Sequence, residues 1–318
     1  VTEKAAEGAT ARYHEIDDEL AGQRLDNFLL GNLKGVPRSH VYRLVRSGQV
    51  RVNSRRVGPG YRIKAGDRVR IPPVRQAQRG TAVISGTGFG WLRERIVFED
   101  DRVMLIDKPA GLAVHGGSGV DIGLIEALRA SRPDERALEL VHRLDRETSG
   151  CLLVAKRRSA LRTLHGLVRD RGMHKYYLAL VAGSWPASLQ RVDRALARQQ
   201  RGAQARVRID DAGKESLTWF EPVARFGNFA TLLGATLETG RTHQIRVHAA
   251  AAGHPLGGDP RYGSQRFNKE LANRGLQRMF LHAASLSFEW PDDGAVFGLC
   301  VPLPQELRRV LGKLRAMA

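Results

Sequence analysis

Apolar residues recur along this chain with two periods, and the switches between them mark its elements. Leu25, Phe28 and Leu29 have the i, i+3, i+4 spacing of one helical face, with Leu33 on the same face. A turn at residues 35–37 leads to Ser39, the expected N-cap of a second helix. Val41, Leu44 and Val45 repeat the spacing there until Gly48 stops it. The period then falls to two. Val50, Val52, a turn at Asn53 and Ser54, Val57, then Val69 and Ile71 after an Ala65–Gly66–Asp67 turn predict a small β-hairpin.

Residues 72–90 are rich in Pro, Gly, Gln and Ser and read as a linker, and their SGTGFG is too weak a glycine pattern to bind a nucleotide. Beyond Leu92 strands and helices alternate. IVFED and RVMLID predict a hairpin turning at Asp100 and Asp101, and KPAG a turn with Pro109 second and Gly111 fourth. LAVHGGSG is a glycine-rich bend beside His115, either a phosphate approach or a plain connection. IGLIEALRA is a short helix and CLLVA a buried strand. A helix from Ser159 turns Leu161, Leu164, Leu167 and Val168 inward and ends at Gly172. In the strand HKYYLALVAG, Lys175, Tyr177, Ala179 and Val181 share one face. Residues 186–215, arginine- and glutamine-rich with weak pattern, predict an irregular hairpin. LTWFEPVARF and NFATLLGATLE pair as strands; Thr242 caps a helix ending at Gly253, with Pro255 beyond. GDPRYG is a turn, FLHAASLSF a strand and PQELRRVLGKLRAMA a closing amphipathic helix. This order predicts an α+β domain around one mixed sheet. The expected division is a flexible tail over 1–19, a small helical and β module over 20–72, a linker over 73–91 and a large domain over 92–318.

Charge changes the picture most. The net charge is +18 and the pI about 10.8, which points to a polyanion. Without a basic amphipathic helix bearing an aromatic face, nucleic acid is preferred over a membrane surface. Residues 20–80 carry fourteen Lys and Arg against only Asp26 and Asp67. No apolar run approaches a membrane span, and VTEKAAEGAT has no signal-peptide core. Two cysteines, Cys151 and Cys300, exclude a disulfide framework and a cysteine-rich zinc site, so a reducing cytoplasm is expected. No heptad or large apolar stripe argues for a dimer, and a monomer is expected.

The stretches RLDNFLL, PRSHVYRLVRSGQVRVN and IKAGDRVRI resemble the S4-type RNA-binding domain, named for a small-subunit ribosomal protein. A DNA-reading helix-turn-helix is the competitor, but it does not need the strand pair that directly follows. Arg38, Arg43, Arg46, Arg51, Arg55 and Arg56 are the expected phosphate contacts.

Candidate chemistry gathers in VHRLDRETSG, residues 141–150, just before the CLLVA strand. Asp145 lies between Arg143 and Arg146. A carboxylate in that setting stays ionised and serves as nucleophile or base, or else belongs to a salt-bridge cluster on a loop. HRLD lacks the companion motifs of a protein kinase, and no Walker A or GxSxG is present. Histidines 142, 243, 248, 254 and 282 show no zinc spacing; His243 and His248, five apart, do not share a helical face, so no metal is expected. One carboxylate, orienting arginines, aromatic residues and a basic body suit chemistry on a nucleobase flipped from a helix.

KPAGLAVH, VHRLDRETSG, HKYYLALVAG, TGRTHQIRVH, GDPRYG and LHAASLSF occur in the order seen in RluA/RluC-type pseudouridine synthases, and residues 94–315 resemble that family. The S4-like module, LELVHRLDRETSG and KRRSALRTLHGLVRDRGMHK are most similar to its RluC-type branch, while GDPRYG matches the general family better. The resemblance implies a mixed, largely antiparallel sheet with a central cleft and isomerisation of uridines in 23S ribosomal RNA, free or in a pre-ribosomal large subunit. It makes Asp145 the essential residue, whether by attack on the sugar, attack on the ring or removal of a sugar proton. It makes Tyr177 the platform on which the base stacks, Arg246 the partner of Asp145, and Arg143 the residue that enters the helix in place of the uridine. Arg241, His243 and His142 join the RNA-binding set, His142 with Leu144 and the turn at Thr148, Ser149 and Gly150 mainly shaping the loop. No cofactor is implied, because the reaction has no redox step and no external donor. The rival reading is a non-catalytic RNA-binding assembly factor of the same fold.

Overall fold

The computed structural model describes residues 11–17, 20–33, 36–74, 86–116, 122–135, 137–201 and 204–316. The chain divides into two units, Val1–Ile84 and Ser85–Ala318.

In the first unit, β1 (Arg12–Glu15) precedes α1 (Leu25–Asn32), α2 (Arg38–Arg46), β2 (Arg51–Val52) and β3 (Arg68–Ile71). The three strands form an antiparallel sheet in the order β1-β3-β2. Leu25, Phe28, Leu29, Val41, Leu44 and Val45 bury together against Val52, Ile63, Val69 and Ile71, as their spacing predicts. Two expectations are corrected. Residues 12–15 are a paired strand rather than tail, because Ile16 is 1% exposed and exchanges backbone hydrogen bonds with the 66–67 turn. The second helix starts at Arg38 with Pro37 as its N-cap, so Ser39 lies inside it and does not cap. Proline's fixed extended geometry supplies the entry that a hydroxyl usually provides. Gly48 ends the helix at φ +72°, and Asn53 and Ser54 both take positive φ in the turn after β2.

The second unit opens with a 3-10 helix (Gly86–Arg95), which occupies the end of the expected linker; residues 75–85 lie outside the described residues. It continues through β4 (Ile96–Glu99), β5 (Val103–Lys108), α3 (Leu124–Ser131), β6 (Glu139–Leu140), β7 (Ser149–Ala155), α4 (Arg158–Arg169), β8 (His174–Ala182), β9 (Arg191–Asp193), β10 (Leu196–Arg201) and β11 (Gln204–Ile209). Then come β12 (Leu217–Phe226), β13 (Ala230–Leu237), α5 (Gln244–Ala251), α6 (Gln265–Ala272), β14 (Leu281–Glu289), β15 (Val296–Cys300) and α7 (Gln305–Arg315). Ten strands form one mixed sheet, ordered β4-β5-β7-β14-β8-β13-β12-β9, with β15 on β14 and β6 on β7. Every pairing in it is antiparallel except β7 with β14. The expected irregular hairpin is regular: β10 and β11 pair over six residues each.

Burial on both faces explains the apolar run of β7, whose seven residues are all buried. Burial pushes the Cys151 thiol up to about 12, so this cysteine is an inert core residue. Along β8 the alternation divides the cores. Tyr177, Ala179 and Val181 join the main cluster with β5, β7 and α3, while Leu180 packs with Phe267 and Leu271 of α6 and Leu307 and Val310 of α7. The sheet therefore presents Tyr177 from a strand fixed on both faces.

Candidate active site

Asp145 sits on the loop between β6 and β7, and that loop is anchored from beneath. Leu144 is buried in the main core, Val141 N–H donates to Leu153 O at 3.1 Å, and Thr148 N–H donates to Asp145 O at 3.1 Å. The KPAG turn grips the next residue. Lys108, with no exposed surface, donates from Nζ to Pro109 O (2.9 Å), Leu112 O (2.8 Å) and Arg146 O (3.0 Å). Gly111 N–H also donates to Arg146 O, and Arg146 Nε returns a bond to Gly111 O, each at 2.8 Å. Burial brings the Lys108 ammonium down to about 7. Fixing a loop at the carbonyl beside Asp145 limits where that carboxylate can go.

Arg246 reaches Asp145 from α5, 101 residues away in sequence. Its Nη1 donates to Asp145 Oδ2 at 3.1 Å. Its other edge is held bidentately by Asp259, Nε to Oδ2 at 2.8 Å and Nη2 to Oδ1 at 2.9 Å. Burial pushes the Asp259 carboxyl up, but Arg246 and the amides of Arg261 and Tyr262 outweigh it and hold the group below its ordinary value. Burial likewise works against the charge on Arg246, and the two carboxylates more than restore it. Asp259 lies in GDPRYG, which reads in sequence only as a turn, so its part was missed there.

Tyr177 lines the same cavity, from the face of β8 that its period predicts. Burial, and then the negative charge of Asp145, raise its pKa above the ordinary phenol value. The cavity encloses about 190 Å³. Leu144, Val168, Leu237, Ile245 and Leu281 supply apolar wall, and Asp145 is the sole carboxylate lining it among the described residues.

The remaining candidates divide by position. Arg143 is exposed, lines the cavity and makes no ion pair among the described residues. Arg241 is also exposed and is fixed by Nε donating to Glu215 O at 3.0 Å. His142 accepts the Leu153 N–H of β7 at Nε2 (3.1 Å); desolvation of its ring, then the charge of Lys175, bring its pKa down to about 3. It is tied to the sheet as a neutral ring.

His243 also approaches the Asp145 carboxylate, with Nε2 3.8 Å from Oδ2. It occupies the N-cap of α5 at φ +57°, where the sequence pointed to Thr242; no side-chain cap bond forms. The left-handed turn aims the ring inward rather than back over the helix end. The Tyr262 hydroxyl accepts Val207 N–H at 3.0 Å and lies 2.9 Å from His243 Nδ1. A hydroxyl already accepting one bond favours giving its own proton to that nitrogen, which puts the imidazole proton on Nε2, toward Asp145. Burial holds His243 below its ordinary pKa, so the ring is neutral at pH 7. The Tyr262 ring in turn packs on Arg246 and Arg206.

In the first unit, Arg43, Arg46, Arg51, Arg55 and Arg56 are exposed, and Arg38 begins α2. Asp26 and Asp67 are buried, Asp26 taking bonds from Arg24 and Tyr42 and Asp67 from Asn53, Tyr61 and Lys64 N–H. The two acids of this basic stretch are buried, and among its exposed described arginines Asp26 neutralises Arg24 alone.

Among the described residues no group of three or more His, Cys, Asp or Glu is placed to hold a metal, and no helix is long and apolar enough to cross a membrane.

Known proteins share this arrangement of sequence. Residues 102–251 match the RNA pseudouridylate synthase family and residues 23–69 the S4 domain. The chain is 51% identical over 306 residues to the ribosomal large subunit pseudouridine synthase C of Escherichia coli (strain K12), covering 94% of this chain and 95% of that protein. It is 48% identical over 303 residues to the protein of that name from Pasteurella multocida (strain Pm70), covering 94% and 93%. Among solved structures, human RNA pseudouridylate synthase domain containing 1 aligns with a TM-score of 0.53 at 28% identity, over 70% of this chain and 94% of that one. Human RNA pseudouridylate synthase domain containing 4, at 23% identity, shares the fold with a TM-score of 0.60, over 73% and 97%. A loop carboxylate met by a buried arginine and a strand tyrosine, on this sheet and in a sequence half identical to such enzymes, has one conclusion: the chain belongs to the RNA pseudouridine synthase family and carries an S4 domain at its N-terminal end.

Proposed function

We propose that this enzyme converts specific uridines of large-subunit (23S) ribosomal RNA to pseudouridine, with Asp145 acting on a uridine flipped into the cavity. The observation that carries the reading is the Asp145 carboxylate, held by Arg246 at 3.1 Å, in a space with Tyr177 on its wall. In the reaction the bond from the sugar to the ring nitrogen breaks, the uracil turns, and a bond to carbon replaces it. Such a path needs an anionic oxygen beside the sugar and ring, a flat surface on which the detached base can turn, and walls that keep it from leaving. Asp145 supplies the first. Tyr177 supplies the second, and its raised pKa keeps the phenol protonated at neutral pH. The apolar wall supplies the third.

Arg246 keeps its charge and fixes the carboxylate, since Asp259 holds the guanidinium from behind. His243 offers its Nε2 proton to an oxygen placed between it and Asp145. Arg143, exposed at the cavity, fills the place in the helix from which the uridine came. Arg38, Arg43, Arg46, Arg51, Arg55 and Arg56 grip RNA phosphates, and the whole works as a monomer in the cytoplasm on free rRNA or an assembling subunit. The test is a map of pseudouridines in 23S rRNA from cells with and without this protein. Sites that vanish with the protein and return with its gene support the reading, and an unchanged map overturns it.

A further inference from the structure

Beside the active cavity lies a second, larger space of about 530 Å³, and the two share Gly240, Arg241 and Thr242 as a common wall. Its far side is the β10–β11 hairpin. That hairpin is seated firmly: Leu196 and Val207 are buried together with Val247 of α5, the helix that carries Arg246. Leu196 and Lys214 exchange backbone hydrogen bonds at 2.9 Å in both directions, which ties the 213–215 turn to the same wall. Gly213 makes this approach possible, because a Cβ there would meet the Leu196 carbonyl. The cleft is thus built, with a fixed apolar floor.

Its charge is one-sided. Arg198, Lys214 and Arg241 line it, with no carboxylate in the lining among the described residues. Three neighbouring arginines are neutralised: Arg191 pairs with Asp193, Arg208 with Asp210 and Arg171 with Glu215. Arg198 and Lys214 are exposed and have no ion pair among the described residues. Arg241 is anchored through Nε on Glu215 O, which leaves both of its Nη groups for another acceptor. Three cations above an apolar floor suit a group that is anionic at one end and flat and weakly polar at the other, which describes a nucleotide.

We propose that this cleft binds the nucleotide adjoining the target uridine, its phosphate on Arg198, Lys214 and Arg241 and its base on the Leu196–Val207 floor. The inference rests on the reading of the active cavity above, since an RNA strand that delivers one residue there brings the next a single phosphodiester away. The cleft makes the enzyme hold two successive nucleotides out of the helix, and its apolar floor gives that neighbour a share in target choice.

The test uses the full chain and transcribed 23S rRNA. The Arg198→Gln/Lys214→Gln double variant is compared with wild type and with Arg308→Gln/Arg309→Gln, which removes the same charge from the exposed face of α7. The hairpin variant should raise the RNA concentration for half-maximal rate about tenfold near physiological salt. Its slope of log affinity against log salt should fall by about 0.7, one single-strand phosphate contact's worth, while the α7 variant changes neither. A neutral methylphosphonate at the phosphodiester joining the target uridine to its neighbour should reproduce the loss in wild type and add little in the hairpin variant. Equal behaviour of the two double variants, or a methylphosphonate that costs wild type nothing on either side of the uridine, overturns the proposal. If wild type forms no pseudouridine on this RNA, the functional reading fails instead, independently of the cleft.

Discussion

At Arg246 two carboxylates share one guanidinium, and their inequality matters. Asp259 is fully buried and takes two of the three bonds; Asp145 takes one and faces the cavity. Removing Asp259 leaves a buried cation short of its partner. Asp259→Ala should therefore cost about 3–5 kcal/mol of stability by urea denaturation, and Asp259→Asn less, since it keeps an acceptor. A loss under 1 kcal/mol for alanine would show that water replaces the carboxylate. Acid should act through the histidines. His142, His243, His248 and His282 all have pKa values lowered by burial, so between the ordinary value near 6.5 and their folded values the unfolded chain binds more protons. Stability is then fully present above pH 6.5 and falls as pH drops below it, down to about 3 for His142. His142→Gln should flatten the fall between pH 6 and 4.5 by up to about 1.4 kcal/mol per pH unit, one proton's worth, in denaturation midpoints converted to free energy. At this scale Asp145 was legible because cations flank it in sequence. Asp259 and Lys108 were not, because their partners lie far along the chain and a turn motif gives no sign of a buried charge.

Gly150 shows why the element carrying the loop tolerates little change. It lies where β7 runs parallel to β14, at φ +104°, and a Cβ there would meet the Ala283 carbonyl oxygen. Gly150→Ala should cost at least about 1–3 kcal/mol from the backbone alone. Thermal and urea denaturation read that loss, and an unchanged midpoint would mean the strands separate freely at this point. Strands with a one-sided or continuous apolar pattern, such as β5, β7, β8 and β13, were legible from periodicity. The strand β1 was not: RYHE has no apolar alternation, and its pairing follows from Ile16 just beyond it. The regular β10–β11 hairpin was hidden similarly, because Leu196 and Val207 are its only buried apolar anchors among the described residues, amid arginine and glutamine. The inward turn of His243 was beyond reach, since the residues around it offer threonine as the ordinary cap.

Across the whole molecule the excess of positive charge has a place as well as a sign. In the first unit nine described arginines are exposed while both acids of the basic stretch are buried. Arg43→Gln/Arg46→Gln/Arg55→Gln should weaken RNA binding and lower the salt slope by about 2, at 0.7 per single-strand contact, with the rate at saturating RNA preserved. An unchanged slope in a filter-binding titration would remove this surface from the RNA contact. The α+β class and a single mixed sheet were legible because their strands and helices each bury one patterned face, while the largely antiparallel pairing was implied by the family resemblance. The boundary between units was less so, since the 3-10 helix of residues 86–95 extends the second unit into glycine-rich sequence that composition alone assigns to a linker. The most direct measurement of the central claim is single-turnover pseudouridine formation by Asp145→Asn beside its RNA affinity. The account predicts binding within about twofold of wild type, because phosphate contacts dominate affinity, and no pseudouridine above background. Modification at a rate comparable with wild type would contradict it.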